Sequence, residues 1–432
     1  MANPQTEENP LAINSMDNTK LSVILVSPNV SEQMGGEAIK ALQIYLELKR
    51  QGVWVHQITH ERVKAELESR FPDMQVSFVK DTNLQKGLNR IAPLAPLLNV
   101  VFLWRARQLA QTILKDRPDA VVHFNAPVSP VLPYFRVPGA SVVIGPLNGN
   151  VHYPPAFRTQ EPLSYRLRRW LHPILQFLNR FTMQGKQHAG ALLVSGGERT
   201  YQSLRMCGCR DEQFVDSVDS GVLDRLYANP RITHTGTNIR FFQNGRLVRH
   251  KGTGLVIRAL KQTKNKIEFD IIGRGPELVT LRALTAALDL EDRVHFIEWI
   301  PDHSKVAEML RQYRAFVFPS LAEANGIVVQ EAMAQGLPVI ALDWGGPSLL
   351  VTPETGVLIE PKSEEHVIRE LAKAMDRLSE DGGLAERMSI AGRQRAFDEG
   401  YLWSGLVEKW VSVYLRVREA RAVEAQPARE KR

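Results

Sequence analysis

The 432-residue sequence predicts an α/β protein of two doubly wound domains facing each other across a cleft, with a final helix crossing back to the first domain. Three observations predict it. Apolar runs of strand length alternate with amphipathic helical stretches along most of the chain. The alternation breaks once, at residues 220 to 238, and then restarts. The length also exceeds what one ordinary core fills.

Taken in order, residues 1–20 (MANPQTEENPLAINSMDNTK) lack the basic start and apolar centre of a signal peptide and read as a flexible tail. The first domain, 21–225, opens with the strand LSVILVSP, a turn NVSEQMGGE holding Gly35 and Gly36, and the helix AIKALQIYLELKRQG. DAVVHFN, ASVVIGP and GALLVSG extend its parallel sheet. SGVLDRLYANPRITHTGTN loses periodicity and gains turn formers, which places a linker at 226–238. From 239 to 400, strands NIRFFQNG, IEFDIIG, RVHFIEW, AFVFPS and LPVIAL alternate with helices GLVIRALKQT, ELVTLRALTAAL, SKVAEMLRQY and IVVQEAMAQG. Residues 401–420, YLWSGLVEKWVSVYLRVREA, form the crossing helix, and 421–432 a disordered tail.

Composition narrows the partners. With 44% hydrophobic and 23% charged residues the chain is globular, and its net charge of +7 favours anionic partners. Nucleic acid is set aside, because base-stacking and groove-reading motifs are absent. Arginines cluster in FLWRARQLAQ and in RTQEPLSYRLRRWLHPILQFLNRF, where they alternate with Trp, Leu, Ile and Phe. That pattern fits helices with solvated basic faces and fits an anionic membrane surface equally well. The apolar run from Ile91 to Trp104 is too short to cross a bilayer, though long enough to lie in one interface. Cys207 and Cys209 are too close for an easy bridge and too few for a closed zinc site. A reducing, cytoplasmic setting is expected, with peripheral attachment at the inner membrane face if the basic segment docks.

Three predicted strand ends of the second domain carry the candidate site. NGRLVRHKG supplies Gly245, Arg246 and Lys251; IIGRGPE supplies Gly273, Arg274 and Gly275; FVFPSLAEANGIVVQEAMAQG supplies Ser320, Glu323, Asn325, Gly326 and Glu331. The helix beginning near Gly326 has amides with no internal acceptor and a dipole whose positive end faces the loop. A diphosphate suits that end, with Arg246 and Lys251 as cations beside it. No Asp-x-Asp pair of the kind that holds a phosphate-bound cation is present, so no metal or other cofactor is expected. Glu331, about a turn into the helix, is placed to accept hydrogen bonds from paired ribose hydroxyls, and Glu323 faces what lies beyond the phosphates. Each residue alone also has an ordinary structural reading; the convergence of three loops favours a site. Trp299 and Arg274 are candidates to face a base.

GRLVRHKG, IIGRGP, the E-x7-E spacing from Glu323 to Glu331, and GGP…TGVLIEP together resemble retaining glycosyltransferase family 4, among the group 1 glycosyltransferases. The likeness is clear from about residue 239 to 415 and fainter in MGGEAIKAL, VIGPLNGN and LLVSGGERT. It implies the GT-B fold of two Rossmann-like domains. It implies transfer of a sugar, with retention and without metal, from a nucleotide sugar to a hydroxyl of a lipid-linked, polysaccharide or other glycan acceptor. Arg246 and Lys251 would clamp the diphosphate, Glu331 hold the ribose and Glu323 contact the transferred sugar. The backbone of Asn325, Gly326, Ile327 and Val328 would cradle the distal phosphate, with Gly35 and Gly36 approaching from the first domain. Asn325 departs from the family pattern, which places an aromatic there. His123, Asn125 and His152 are first-domain candidates for the donor sugar or acceptor. Rival readings are a sugar-nucleotide epimerase of the same fold and a non-catalytic sugar-nucleotide-binding module. A nicotinamide dehydrogenase would need a G-x-G-x-x-G after the first strand, which MGGEAI does not supply.

Overall fold

Runs such as Ser22–Val26 are buried at every residue, as strands covered on both faces must be. In the computed structural model, which describes residues 21–80, 95–297 and 308–429, such runs build two parallel sheets. The first contains β1 (Ser22–Val26), β2 (Trp54–His60), β3 (Val76–Val79), β4 (Val121–Phe124), β5 (Ser141–Leu147), β6 (Ala191–Val194) and β7 (Phe214–Asp216), in the order β3-β2-β1-β4-β5-β6-β7. The second contains β8 (Arg240–Asn244), β9 (Glu268–Ile272), β10 (Val294–Ile297), β11 (Ala315–Phe318), β12 (Val339–Leu342) and β13 (Gly356–Ile359), in the order β10-β9-β8-β11-β12-β13. Their order reverses between β1 and β4 and between β8 and β11, and each reversal leaves a crevice beyond the strand ends.

Parallel neighbours need crossovers, and helices supply them. The first half has α1 (Gly36–Arg50), α2 (Lys64–Arg70), α3 (Ala95–Asp116), α4 (Leu163–Asn179), α5 (Glu198–Met206) and α6 (Asp224–Ala228). The second has α7 (Thr253–Leu260), α8 (Leu278–Ala287), α9 (Ile327–Gln335), α10 (Pro347–Leu350), α11 (Glu364–Glu380) and α12 (Gly382–Asp398). α13 (Trp403–Arg429) then returns to the first domain, where Trp403, Leu406, Val407, Trp410, Tyr414 and Val417 share a core with Val23 and Leu25 of β1.

Several expectations change. The crossing helix does not stop at residue 420 but takes in most of the stretch expected to be disordered; REARAVEA is rich in helix formers, and Arg421 donates to the Ala140 carbonyl at 2.9 Å. The linker packs on the second domain: Ile232 is buried, and His234 Nε2 is 2.9 Å from the Gly336 carbonyl. β2 is hidden in the sequence because His56, Gln57, Thr59 and His60 dilute its apolar pattern; buried Gln57 donates its Nε2 to the Ile58 carbonyl at 3.0 Å. α3 buries Phe102 and Leu103 of the Ile91–Trp104 run, together with Ala106 and Ala110, in the first domain's core, and leaves Trp104 exposed. Residues 91–94, residues 1–20, Trp299 and the start of SKVAEMLRQY lie outside the described residues.

Candidate active site

The crevice between β8 and β11 gathers the motif residues. After β8 the chain turns at Gly245 (φ +142°), passes Arg246, and makes a short 3-10 turn over Arg249–Lys251 that ends at Gly252 (φ +71°). After β11 it runs through Ser320 and Glu323 to Gly326 (φ +91°), which heads α9. The Leu321 amide donates to the His250 carbonyl at 2.7 Å, and a Cβ at Gly252 would stand 2.1 Å from the Pro319 carbonyl oxygen. The two loops therefore approach closely. The third joins them: the Leu247 amide donates to the Arg274 carbonyl at 2.9 Å, and a Cβ at Gly275 would meet the Leu247 oxygen at 2.1 Å. Gly273 and Gly275 thus have a packing role; side chains there would separate the loops.

Lys251 Nζ donates to Glu323 Oε2, both side chains being 18% exposed, and stands 4.7 Å from the Phe318 ring centroid. Arg246 is exposed, and its side chain makes no hydrogen bond or ion pair among the described residues. Arg274 is also exposed, at the rim of the third loop. No side chain caps α9, so the first amides, those of Ile327 and Val328, are open to an anion. Glu331 lies one turn on, on the same face as Ile327, and is half-buried.

Burial pushes the Glu331 carboxyl up to about 7. Between the ordinary carboxylate value and about 7 the folded chain holds more protons than the unfolded one. This group's contribution to stability therefore falls as pH rises through that window and levels off above it. Sugar hydroxyls donate to the ionised form. Donor affinity is expected to rise roughly tenfold from pH 5.5 to 8, and to flatten in Glu331→Gln, as calorimetry at the two pH values would measure.

Asn325 is buried; its Nδ2 is 3.2 Å from Gln330 Oε1 and its Oδ1 lies 3.5 Å from the Asp219 amide of the first domain. Gly345 and Gly346 back this loop: a Cβ at Gly346 would be 2.3 Å from the Asn325 oxygen. Between the domains, a cavity of about 420 Å³ is lined by Ser195, Gly197, Asp216, Ala324, Asn325 and Trp410 among others. Its lining does not include Glu323, Glu331, Arg246 or Lys251, so it adjoins the donor-side crevice with the 324–325 loop as the shared wall.

From the first domain, Gly35 caps α1 and, with Gly36, is exposed with open space where a Cβ would stand. Asn125 follows β4 at the other strand-order reversal, buried, accepting from Ser27 Oγ. His152 Nε2 is 2.6 Å from Asn150 Oδ1, while its carbonyl accepts from Trp344 Nε1 of the second domain at 2.7 Å. His123 is displaced from the cleft. It is fully buried beneath α13, with Nε2 2.7 Å from the Gly145 carbonyl and Nδ1 2.7 Å from the Tyr414 hydroxyl. Burial drives its pKa down to about 4, and neither ring nitrogen is available to a substrate. His123→Ala is expected to lower unfolding stability by about 3 kcal/mol while leaving donor affinity unchanged, a split visible in denaturant titration against calorimetry.

The sequence reading missed Arg199. This residue, second in α5, reaches across the domain boundary: Nη2 donates to the Ala324 carbonyl at 2.6 Å and to Asn148 Oδ1 at 3.2 Å, and Nε to the Gly149 carbonyl at 3.1 Å. Burial lowers its pKa to about 10, and nearby Glu323 opposes that shift. The signal available was an arginine one residue past a strand and its Gly-Gly turn, in LLVSGGERT.

Residues 229–395, which hold all three loops, match the family model for glycosyl transferases group 1. The second domain is a group 1 glycosyltransferase domain. Among curated relatives, lipopolysaccharide core biosynthesis glycosyltransferase LpsD of Rhizobium meliloti is 36% identical over 150 residues, 35% of this chain and 42% of that protein. Putative colanic acid biosynthesis glycosyltransferase WcaL of Escherichia coli is 28% identical over 218 residues, 48% of this chain and 53% of that protein. The chain spans about half the length of these relatives. Solved structures carry the fold further. A glycosyltransferase of Rickettsia africae superimposes over 92% of this chain and 98% of its own, with TM-score 0.61 and 15% identity. Anabaena HepE, solved with UDP and glucose, covers 91% of this chain and 99% of its own, with TM-score 0.59 and 17% identity. The group 1 glycosyltransferase domain thus sits in a GT-B arrangement.

Proposed function

We propose that the protein is a retaining glycosyltransferase of family 4. It moves a sugar from a nucleoside diphosphate sugar to a hydroxyl of a lipid-linked, polysaccharide or other glycan acceptor. One observation carries this reading: Lys251, Glu323, the open start of α9 and Glu331 meet at the strand-order reversal of the domain that matches the family model. HepE, captured with UDP and glucose, lends support for the donor class, and LpsD and WcaL for a glycan product.

The chemistry follows from charge. As the glycosyl–oxygen bond lengthens, the diphosphate gains negative charge and the sugar acquires oxocarbenium character. Arg246, Lys251 and the α9 amides stabilise the first; Glu323 faces the second. The acceptor oxygen attacks from the face the diphosphate leaves, and its proton passes to the departing phosphate oxygen, so no protein base is needed. With these cations at the diphosphate, no divalent ion is assigned a part.

The test is a panel of UDP-, GDP- and ADP-sugars titrated by calorimetry with and without EDTA, followed by NMR of the product's anomeric configuration. One donor should bind tightly regardless of EDTA and yield a retained linkage. An inverted product, or release of an epimer without acceptor, would overturn the proposal.

A further inference from the structure

Helix α4 is turned inside out. At about 100° per residue, Leu163, Leu167, Trp170, Ile174, Phe177 and Leu178 form one stripe, which on most surface helices faces the core. Here that stripe faces outward, with Leu163 79% and Trp170 77% exposed. The opposite face is polar and buried. His172 Nε2 and Gln176 Nε2 lie 2.8 and 2.5 Å from Ser203 Oγ, Gln176 also donates to the Pro130 carbonyl at 3.0 Å, and Asn179 donates to the Val131 carbonyl. Polar anchors fasten the helix to its domain and leave the apolar side to the surroundings. Phe181, 66% exposed, extends the patch past the helix end. A contiguous apolar patch of this kind marks a contact surface.

Charge selects the occupant. α4 contains no Asp or Glu, exposed Arg168 borders the stripe on one side and exposed Arg180 follows its last turn, while Arg166 on the other side is turned back onto the Glu161 and Thr159 carbonyls at 3.1 and 3.0 Å. The nearby acid, Glu161, is buried and held by Arg169 at 2.8 Å. Arginines flanking an apolar stripe that carries a central Trp match a layer of anionic headgroups over acyl chains, where long cationic side chains reach up to the phosphates. No helix among the described residues is long and apolar enough to cross a membrane, so the contact lies in the plane of one surface.

We propose that α4 is a monotopic anchor that seats the first domain on an anionic lipid surface. Its start is fixed at the domain junction: the Tyr165 ring stands 5.8 Å from that of Tyr153, which packs into the second domain's core, and Gln160 donates to Glu364 at 2.7 Å. The lipid plane therefore passes beside the junction of the two domains, where an acceptor carried on a lipid is within reach. The seating itself does not depend on the donor reading, because vesicle binding, not transfer, measures it.

The experiment is co-sedimentation of the full chain with phosphatidylcholine vesicles, plain or containing about one third phosphatidylglycerol. Wild type should bind the anionic vesicles preferentially and lose binding as salt rises. Leu167→Glu with Trp170→Glu should weaken binding at least tenfold, and Arg168→Gln with Arg180→Gln about twenty-fivefold, at about fivefold per arginine. These side chains are exposed, so unfolding midpoint and nucleotide affinity should hold in both variants. No wild-type binding at low salt, equal binding to both vesicle types, or undiminished binding by the Glu variant would overturn the proposal. So would a dimer in solution that the Glu variant dissociates, with no vesicle binding, since that assigns the face to a second copy.

Discussion

Lys251→Ala and Arg246→Ala are each expected to slow donor turnover by ~10²-fold or more, in hydrolysis and in transfer alike. Both remove a cation from the place where the leaving diphosphate gains charge, but they should differ in their side effects. Lys251 is tied to Glu323 with both side chains largely shielded, so its loss leaves a carboxylate without its counter-charge next to an anionic ligand. Donor affinity should fall together with turnover, and stability by about 2 kcal/mol. Arg246 is exposed and unengaged among the described residues, so its removal should leave stability unchanged. Steady-state kinetics and denaturant titration of the two variants check this; unaltered turnover in both would remove the diphosphate clamp.

Glu323→Gln is expected to separate binding from chemistry. The amide keeps the size of the side chain and an acceptor for Lys251 while removing the negative charge. Lys251 is then released from an ion pair that competes with the diphosphate, so the donor should bind as well as before or more tightly. The sugar's developing positive charge loses its stabiliser, so kcat should fall by ~10²-fold. A parallel rise in KM would instead place Glu323 in ground-state recognition. Azide rescue of Glu323→Ala that yields a glycosyl azide of the opposite anomeric configuration to the transfer product would make Glu323 a covalent nucleophile.

The second domain was legible because its chemistry lies in local order: β8, β9 and β11 each end in a glycine-bearing loop, each of these loops is followed by a helix, and Glu323 and Glu331 are joined by the end of one such loop and the first turn of α9. The first domain was less so, because its roles depend on distant partners. His123 looked like a strand-end residue, but the residue that fixes it, Tyr414, is 291 positions away on a helix that had first to cross back. Arg199 meets the Ala324 carbonyl, 125 positions on, only after the domains are apposed. α4 shows the limit of periodicity most clearly. An apolar stripe of helical spacing can be read from sequence, but which side faces the protein was decided by hydrogen bonds from His172, Gln176 and Asn179 to groups in other elements.

The most direct test is a crystal structure of the protein with the tightest-binding nucleoside diphosphate. The diphosphate should lie within hydrogen-bond distance of Lys251 and the amides of Ile327 and Val328, with the ribose hydroxyls on Glu331. A diphosphate bound elsewhere, with the Lys251–Glu323 pair and the start of α9 untouched, would contradict the account.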